Sequence, residues 1–148
     1  MTTRRIAIAS DHAGFALKSK VKDWLVEDGH EVEDLGTHST DSVDWPDYGR
    51  KLGEAVAANP GMLGVAVCGS GIGIAIAANK VKGARAATCM NGLMARLTRQ
   101  HNDANILALG ERLIGEATAR DCLNEFLNTN FEGGRHQRRV DKVDDPLS

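Results

Sequence analysis

Several classes of protein are argued against by what this 148-residue sequence lacks. Its three cysteines, Cys68, Cys89 and Cys122, are odd in number and show no CxxC spacing. Neither a disulfide framework nor a zinc site is indicated, and free thiols are expected. Apolar runs are interrupted well short of the roughly 18 residues a membrane span needs. Met1-Thr2-Thr3-Arg4-Arg5 leads directly into a strand pattern rather than a secretory signal. A cytoplasmic protein that does not engage a membrane is expected. The net charge is only -2, so electrostatics make no general case for nucleic acid or an anionic surface. A dinucleotide fingerprint is missing too, because the glycines read G-S-G-I-G and follow the third strand instead of the first. That disfavours a nucleotide cofactor.

What the sequence does have is concentrated in Leu63 to Lys80, LGVAVCGSGIGIAIAANK. Leu63 to Val67 is a short, valine-containing apolar run of the kind buried on both faces of a parallel sheet. Glycines then alternate through Cys68-Gly69-Ser70-Gly71-Ile72-Gly73, and Ile74 to Asn79 suits a buried helix. Strand, glycine turn and helix together let backbone approach a ligand closely and aim the helix's unpaired N–H groups at an anion. A thiol and a hydroxyl stand where that anion would bind. A tight turn with an ordinary buried cysteine has the same appearance.

Strand and helix signals alternate along the whole chain. Strands are predicted at Arg5 to Ser10, His30 to Leu35, Leu63 to Val67, Ala84 to Cys89 and Ile106 to Leu109; helices are predicted at Ala13 to Asp28, Pro46 to Ala58, Ile74 to Asn79, Leu93 to Gln100 and Gly115 to Leu127. Five β/α units in one domain of residues 1–148 predict an α/β fold, a Rossmann-like three-layer sandwich around a five-stranded parallel sheet in the order 2-1-3-4-5. Ligands of such sheets bind beyond the carboxyl ends of the strands, where the winding reverses between strands 1 and 3. Ser10-Asp11-His12 and Cys68-Gly69-Ser70-Gly71 meet there.

Two polar clusters lie elsewhere. Arg99-Gln100-His101-Asn102-Asp103 precedes strand 5 and so sits at the wrong end of it, unless a helix or a neighbouring subunit carries it round. Taken alone, His101 in a polar run is more often a solvated surface histidine than a catalyst, although an imidazole suits proton transfer. The C-terminal segment 131–148 carries Arg135 and Arg139, four apart and on one face if helical, able to grip a phosphate with two guanidinium forks. A solvated basic tail is the other reading; a nucleic-acid arm is disfavoured by the absence of interleaved aromatics.

Four motifs in order, Asp11-His12-Ala13-Gly14, Cys68 to Gly73 with Ala77-Ala78-Asn79-Lys80, Arg99 to Asn105, and Glu132-Gly133-Gly134-Arg135-His136, resemble the type B ribose-5-phosphate isomerases, a family with relatives acting on hexose 6-phosphates. The likeness spans almost the whole chain. It implies a Rossmann-like sandwich, a homodimer or homotetramer, no metal and no cofactor, and interconversion of ribose 5-phosphate and ribulose 5-phosphate. It further implies that Cys68 is the base at C2, that His101 is the acid that opens the furanose ring, and that Ser70 helps move the proton between O1 and O2. The backbone from Gly69 through Gly71 and Ile72 to Gly73 would hold the enediolate oxygens. Asp11, His12, Asn102, Arg112, Arg135 and Arg139 match substrate positions, with His12 and the arginines on the phosphate side. Another branch of the family carries a glutamate base six residues beyond the cysteine position; here that residue is Ile74.

Aldose–ketose isomerisation needs these parts: a base for a weakly acidic C–H, donors for the enediolate, and an anchor on the phosphate. Two rival functions have the same outline. A hexose-6-phosphate isomerase, for allose or galactose 6-phosphate, would need a roomier pocket, and a bulky Trp45 near the sugar favours the pentose. A non-catalytic phosphosugar-binding module would keep the arginines but lose the thiol or His101, and both are present.

Overall fold

A computed structural model describes residues 2–148. Five parallel strands form one sheet: β1 (Arg5–Ser10), β2 (Glu31–Asp34), β3 (Leu63–Cys68), β4 (Ala86–Thr88) and β5 (Ile106–Gly110). Six helices accompany them: α1 (Phe15–Glu27), after a 3-10 turn over His12–Gly14, α2 (Trp45–Ala58), α3 (Ile72–Asn79), α4 (Gly92–Asn102), α5 (Glu116–Asn128) and α6 (Arg135–Asp144). The α/β class and the parallel sheet are as the sequence predicts.

The central strands are apolar on both faces because both faces are covered. Ile6, Ile8, Val65, Val67, Leu107 and Leu109 face a core completed by α1 and α5, with Phe126 and Leu123 at its centre. Intervening residues Ala7, Ala9, Ala66, Cys68, Ile106 and Ala108 face a second core under α2 and α3. Alternation of side chains along each strand makes this division. The second face is lined mainly by alanines, and α2 lies so close to α3 that a Cβ on Gly49 would sit 2.6 Å from the Ile74 carbonyl oxygen.

The strand order corrects the expectation. It is 2-1-3-5-4, with β5 between β3 and β4. Ile106-Leu107-Ala108-Leu109-Gly110 is buried at every position, as a strand with a neighbour on each side must be, whereas β4 is three small residues, all half-buried. Short strands of small side chains suit a sheet edge. The consequence for function is that the carboxyl end of β5 runs beside Cys68, with Cys68 registered against Gly110.

Candidate active site

The loop after β3 is built by backbone packed against backbone. Gly71 adopts φ +73, a left-handed conformation that suits glycine. A Cβ there would also lie 2.8 Å from the Leu109 carbonyl carbon, and one on Gly110 would lie 2.6 Å from the Ser70 carbonyl. The segment after β5 latches onto the same loop: Glu111 N–H donates to the Cys68 carbonyl and Arg112 N–H to the Gly69 carbonyl, each at 3.0 Å. From β4, the Thr88 hydroxyl donates to the Gly71 carbonyl at 2.7 Å. Thr88 escaped sequence reasoning, since a lone threonine in a short strand carries no signal.

The thiol is held by this loop. Gly71 N–H donates to Cys68 Sγ at 3.1 Å, and Ile72 N–H donates to Ser70 Oγ at 3.2 Å. Both donors lie at the start of α3, so its dipole adds a positive field at the sulfur. Cys68 is buried, yet it lines a cavity of about 370 Å³ with Asp11, His12, Ser70, Arg112 and Trp45. Asp11 is fixed as a cap, its carboxylate accepting from Gly14 N–H at 3.1 Å. His12 Nδ1 accepts from Val43 N–H at 3.1 Å, so the neutral ring carries its proton on Nε2. The Trp45 ring lies against Gly73, where a Cβ would approach it to 3.1 Å. The chemical inventory is a thiol, a hydroxyl, a carboxylate, an imidazole N–H donor and a guanidinium.

Of the predicted site residues, Gly69 and Gly73 also line this cavity, whereas Gly71 is buried behind it and Ile72 points outward. His101, Asn102 and Arg139 line a second cavity, of about 540 Å³, together with Arg85, His136 and Val143. The two cavities share no residue. The physical reason is the course of α4, which starts beyond the carboxyl end of β4 and runs back for 11 residues, about 16 Å, before β5 begins. Its last turn is therefore at the opposite end of the sheet from Cys68. Arg135 lies one turn before Arg139 on α6 and lines neither cavity.

His101, on the wall of the second cavity, is met by two residues of the Glu132-Gly133-Gly134-Arg135-His136 motif that carry no role from sequence alone, His136 and Glu132. His136 stacks on His101 with ring centroids 4.5 Å apart, and Glu132 Oε1 is 3.3 Å from His136 Nε2. Asp144, at the end of α6, accepts from Gly83 N–H at 2.9 Å and ties that helix to the sheet edge.

Comparison with known proteins gives a consistent result. A family profile described as ribose/galactose isomerase matches residues 6–143. Ribose-5-phosphate isomerase B of Escherichia coli is 44% identical over 140 residues, covering 95% of this chain and 94% of that protein. Ribose-5-phosphate isomerase B of Clostridium thermocellum superposes with a TM-score of 0.94 at 51% identity, covering 96% of each chain. The Mycoplasma genitalium enzyme, solved with bound ribulose 5-phosphate, has a TM-score of 0.92 at 41% identity over 97% of this chain and 95% of its own.

Proposed function

Because the chain belongs to the ribose/galactose isomerase family, we propose that it interconverts ribose 5-phosphate and ribulose 5-phosphate by proton transfer through an enediolate. The observation that carries this reading is the placement of Cys68 Sγ, a thiol fed by a loop N–H at the start of α3 and facing a cavity with an imidazole donor and a guanidinium. Cys68 as thiolate removes the C2 proton. Ser70 relays the proton between O1 and O2, and the loop backbone stabilises the enediolate as it forms. Asp11 orients the sugar; His12 and Arg112 hold the phosphate, the part of the substrate that does not react.

Half of the equipment is missing from the Cys68 cavity, and a second copy of the chain supplies it. His101, Asn102, Arg135 and Arg139 of one chain reach the thiol of the other, His101 to protonate the ring oxygen and the arginines to close on the phosphate. Support comes from the surface around the β4 edge. Ile72 and Ile76 on α3, and Leu93, Met94 and Leu97 on α4, are exposed at helical spacing on the elements flanking that edge. Large apolar patches of this kind mark association surfaces. A symmetric homodimer covers them and completes two sites at once. In this reading residues 1–148 act as one domain, with 131–148 reaching across to the partner.

The deciding experiment is a panel of pentose 5-phosphates and hexose 6-phosphates assayed for ketose formation. Ribose 5-phosphate should be the preferred substrate. Faster turnover of allose or galactose 6-phosphate would reassign the substrate, and no turnover of any member would leave only a phosphosugar-binding protein.

A further inference from the structure

His101 and His136 on the wall of the second cavity form a cluster with the neighbouring Glu132 whose full membership the isomerisation does not require. Glu132 Oε1 lies 3.3 Å from His136 Nε2 and 3.8 Å from His101 Nε2. One ligand atom from each residue falls within 4.8 Å of the other two. His136 is only 6% exposed, and its Nε2 is buried without a hydrogen-bond partner, since the approach to Glu132 lacks hydrogen-bond geometry. A buried polar nitrogen left unpaired costs free energy. It lies close to a carboxylate, with a second imidazole stacked on its ring.

Two imidazoles and a carboxylate are the donor set of a borderline divalent ion, zinc above all. Metal–ligand bonds of about 2.0–2.1 Å in a tetrahedral site put neighbouring ligand atoms about 3.4 Å apart. Glu132 and His136 already have that spacing. His101 does not, because its ring lies 16° from parallel with His136, and stacked rings cannot both direct in-plane lone pairs at one ion. The His101 side chain is 41% exposed, so it has room to turn onto the metal.

We propose that His101, Glu132 and His136 form a binding site for Zn²⁺ or a similar late first-row divalent ion, and that loading this site withdraws His101 from the sugar. The site stands on geometry alone; the inhibitory effect rests on the proposed ring-opening role of His101. The ion occupies the nitrogen that would otherwise protonate the ring oxygen, so conversion of the cyclic aldose is blocked by competition for His101.

The test separates the two claims. Metal-stripped full-length protein is titrated with ZnCl₂ against a chromophoric chelator, and with Co²⁺ followed by visible absorption. One ion per chain is expected, with nitrogen and oxygen ligation and no thiolate charge-transfer band. Glu132→Gln, at a half-exposed position that tolerates an isostere, should weaken binding by at least the roughly 10–100-fold that even an outer-sphere partner is worth. His136→Asn should do the same, and Cys68→Ser should leave binding unchanged. Zinc held equally well by Glu132→Gln, or lost in Cys68→Ser, overturns the site. Turnover of ribose 5-phosphate is then measured with and without zinc: suppression in the wild type but not in Glu132→Gln supports inhibition through the cluster. Zinc bound at the cluster with undiminished turnover overturns the inhibitory claim while the metal site survives; the ring-opening role is judged separately, by the turnover of ribose 5-phosphate in metal-free His101→Asn, where full activity overturns it.

Discussion

Cys68 differs from the other two cysteines less in exposure than in what it faces. The sequence suggests that it should be the most accessible thiol, but all three are buried. Burial pushes Cys89 up to about 12, with Cys122 nearby adding to the effect. It pushes Cys122 up to about 11, with the Asp121 carboxylate contributing and a backbone hydrogen bond opposing. Neither forms useful thiolate at neutral pH. Iodoacetamide near pH 7 should therefore label Cys68 first, ribose 5-phosphate should slow the labelling, and mass mapping of the modified peptide checks both. Cys68→Ala should lower kcat by about 10²–10⁴-fold, the contribution of a positioned general base. A variant keeping more than about a tenth of wild-type kcat would move the base elsewhere, with Asp11 the next candidate.

Between elements, one polar contact joins α1 to β2. Lys18, 1% exposed, donates to Asp34 at 2.5 Å, with Lys22 at 3.6 Å from the other oxygen. Burial by itself would push the Asp34 carboxyl up. Hydrogen bonds from Lys18 and Gly36 N–H, together with the charges of Lys18 and Lys22, outweigh it and hold the group below its ordinary 3.8. A carboxyl depressed in the folded state stabilises the fold above its unfolded value and loses that contribution as pH falls through it. Asp34→Ala should cost about 3–5 kcal/mol at pH 7, because it strands a buried lysine charge. Urea melts should show the gap to wild type closing as pH drops below about 4, the unfolded carboxylate range. At this same scale the sequence was legible in part. Every strand and its following helix could be placed from periodicity, and the meeting of Asp11 with the Cys68 loop follows from the winding reversal alone. The order of β4 and β5 could not, because adjacency in the chain suggests adjacency in the sheet. The burial contrast between ARAATC and ILALG, visible only as side-chain size, decides otherwise. Arg112 reaches the cavity for that reason: β5 is the neighbour of β3.

For the whole molecule, the two cavities on one chain make a sharp prediction about mixtures. Cys68→Ala and His101→Asn should each be inactive on ribose 5-phosphate. If sites are shared between copies in a two-fold dimer, a heterodimer of the two variants contains one intact site and one doubly defective site. Unfolding and refolding an equimolar mixture should then restore about a quarter of wild-type activity, from random pairing in an isologous dimer. No recovery would place Cys68 and His101 in the same chain's site. The separation of the two cavities was visible in the sequence only as a histidine at the far end of strand 5, since no local pattern reveals whether a residue serves its own chain's site or another copy's. Another whole-molecule consequence follows from the indole resting on Gly73. The protein has two tryptophans. Trp24 packs under the Arg120 guanidinium on the α1–α5 side, 5.3 Å from it, whereas Trp45 forms part of the cavity wall. Only the second has its surroundings altered when a sugar phosphate displaces water from the cavity. Ultraviolet-excited emission should therefore shift on substrate addition in the wild type and stay constant in Trp45→Phe, giving the enzyme a built-in optical gauge of occupancy that works even when turnover has been abolished.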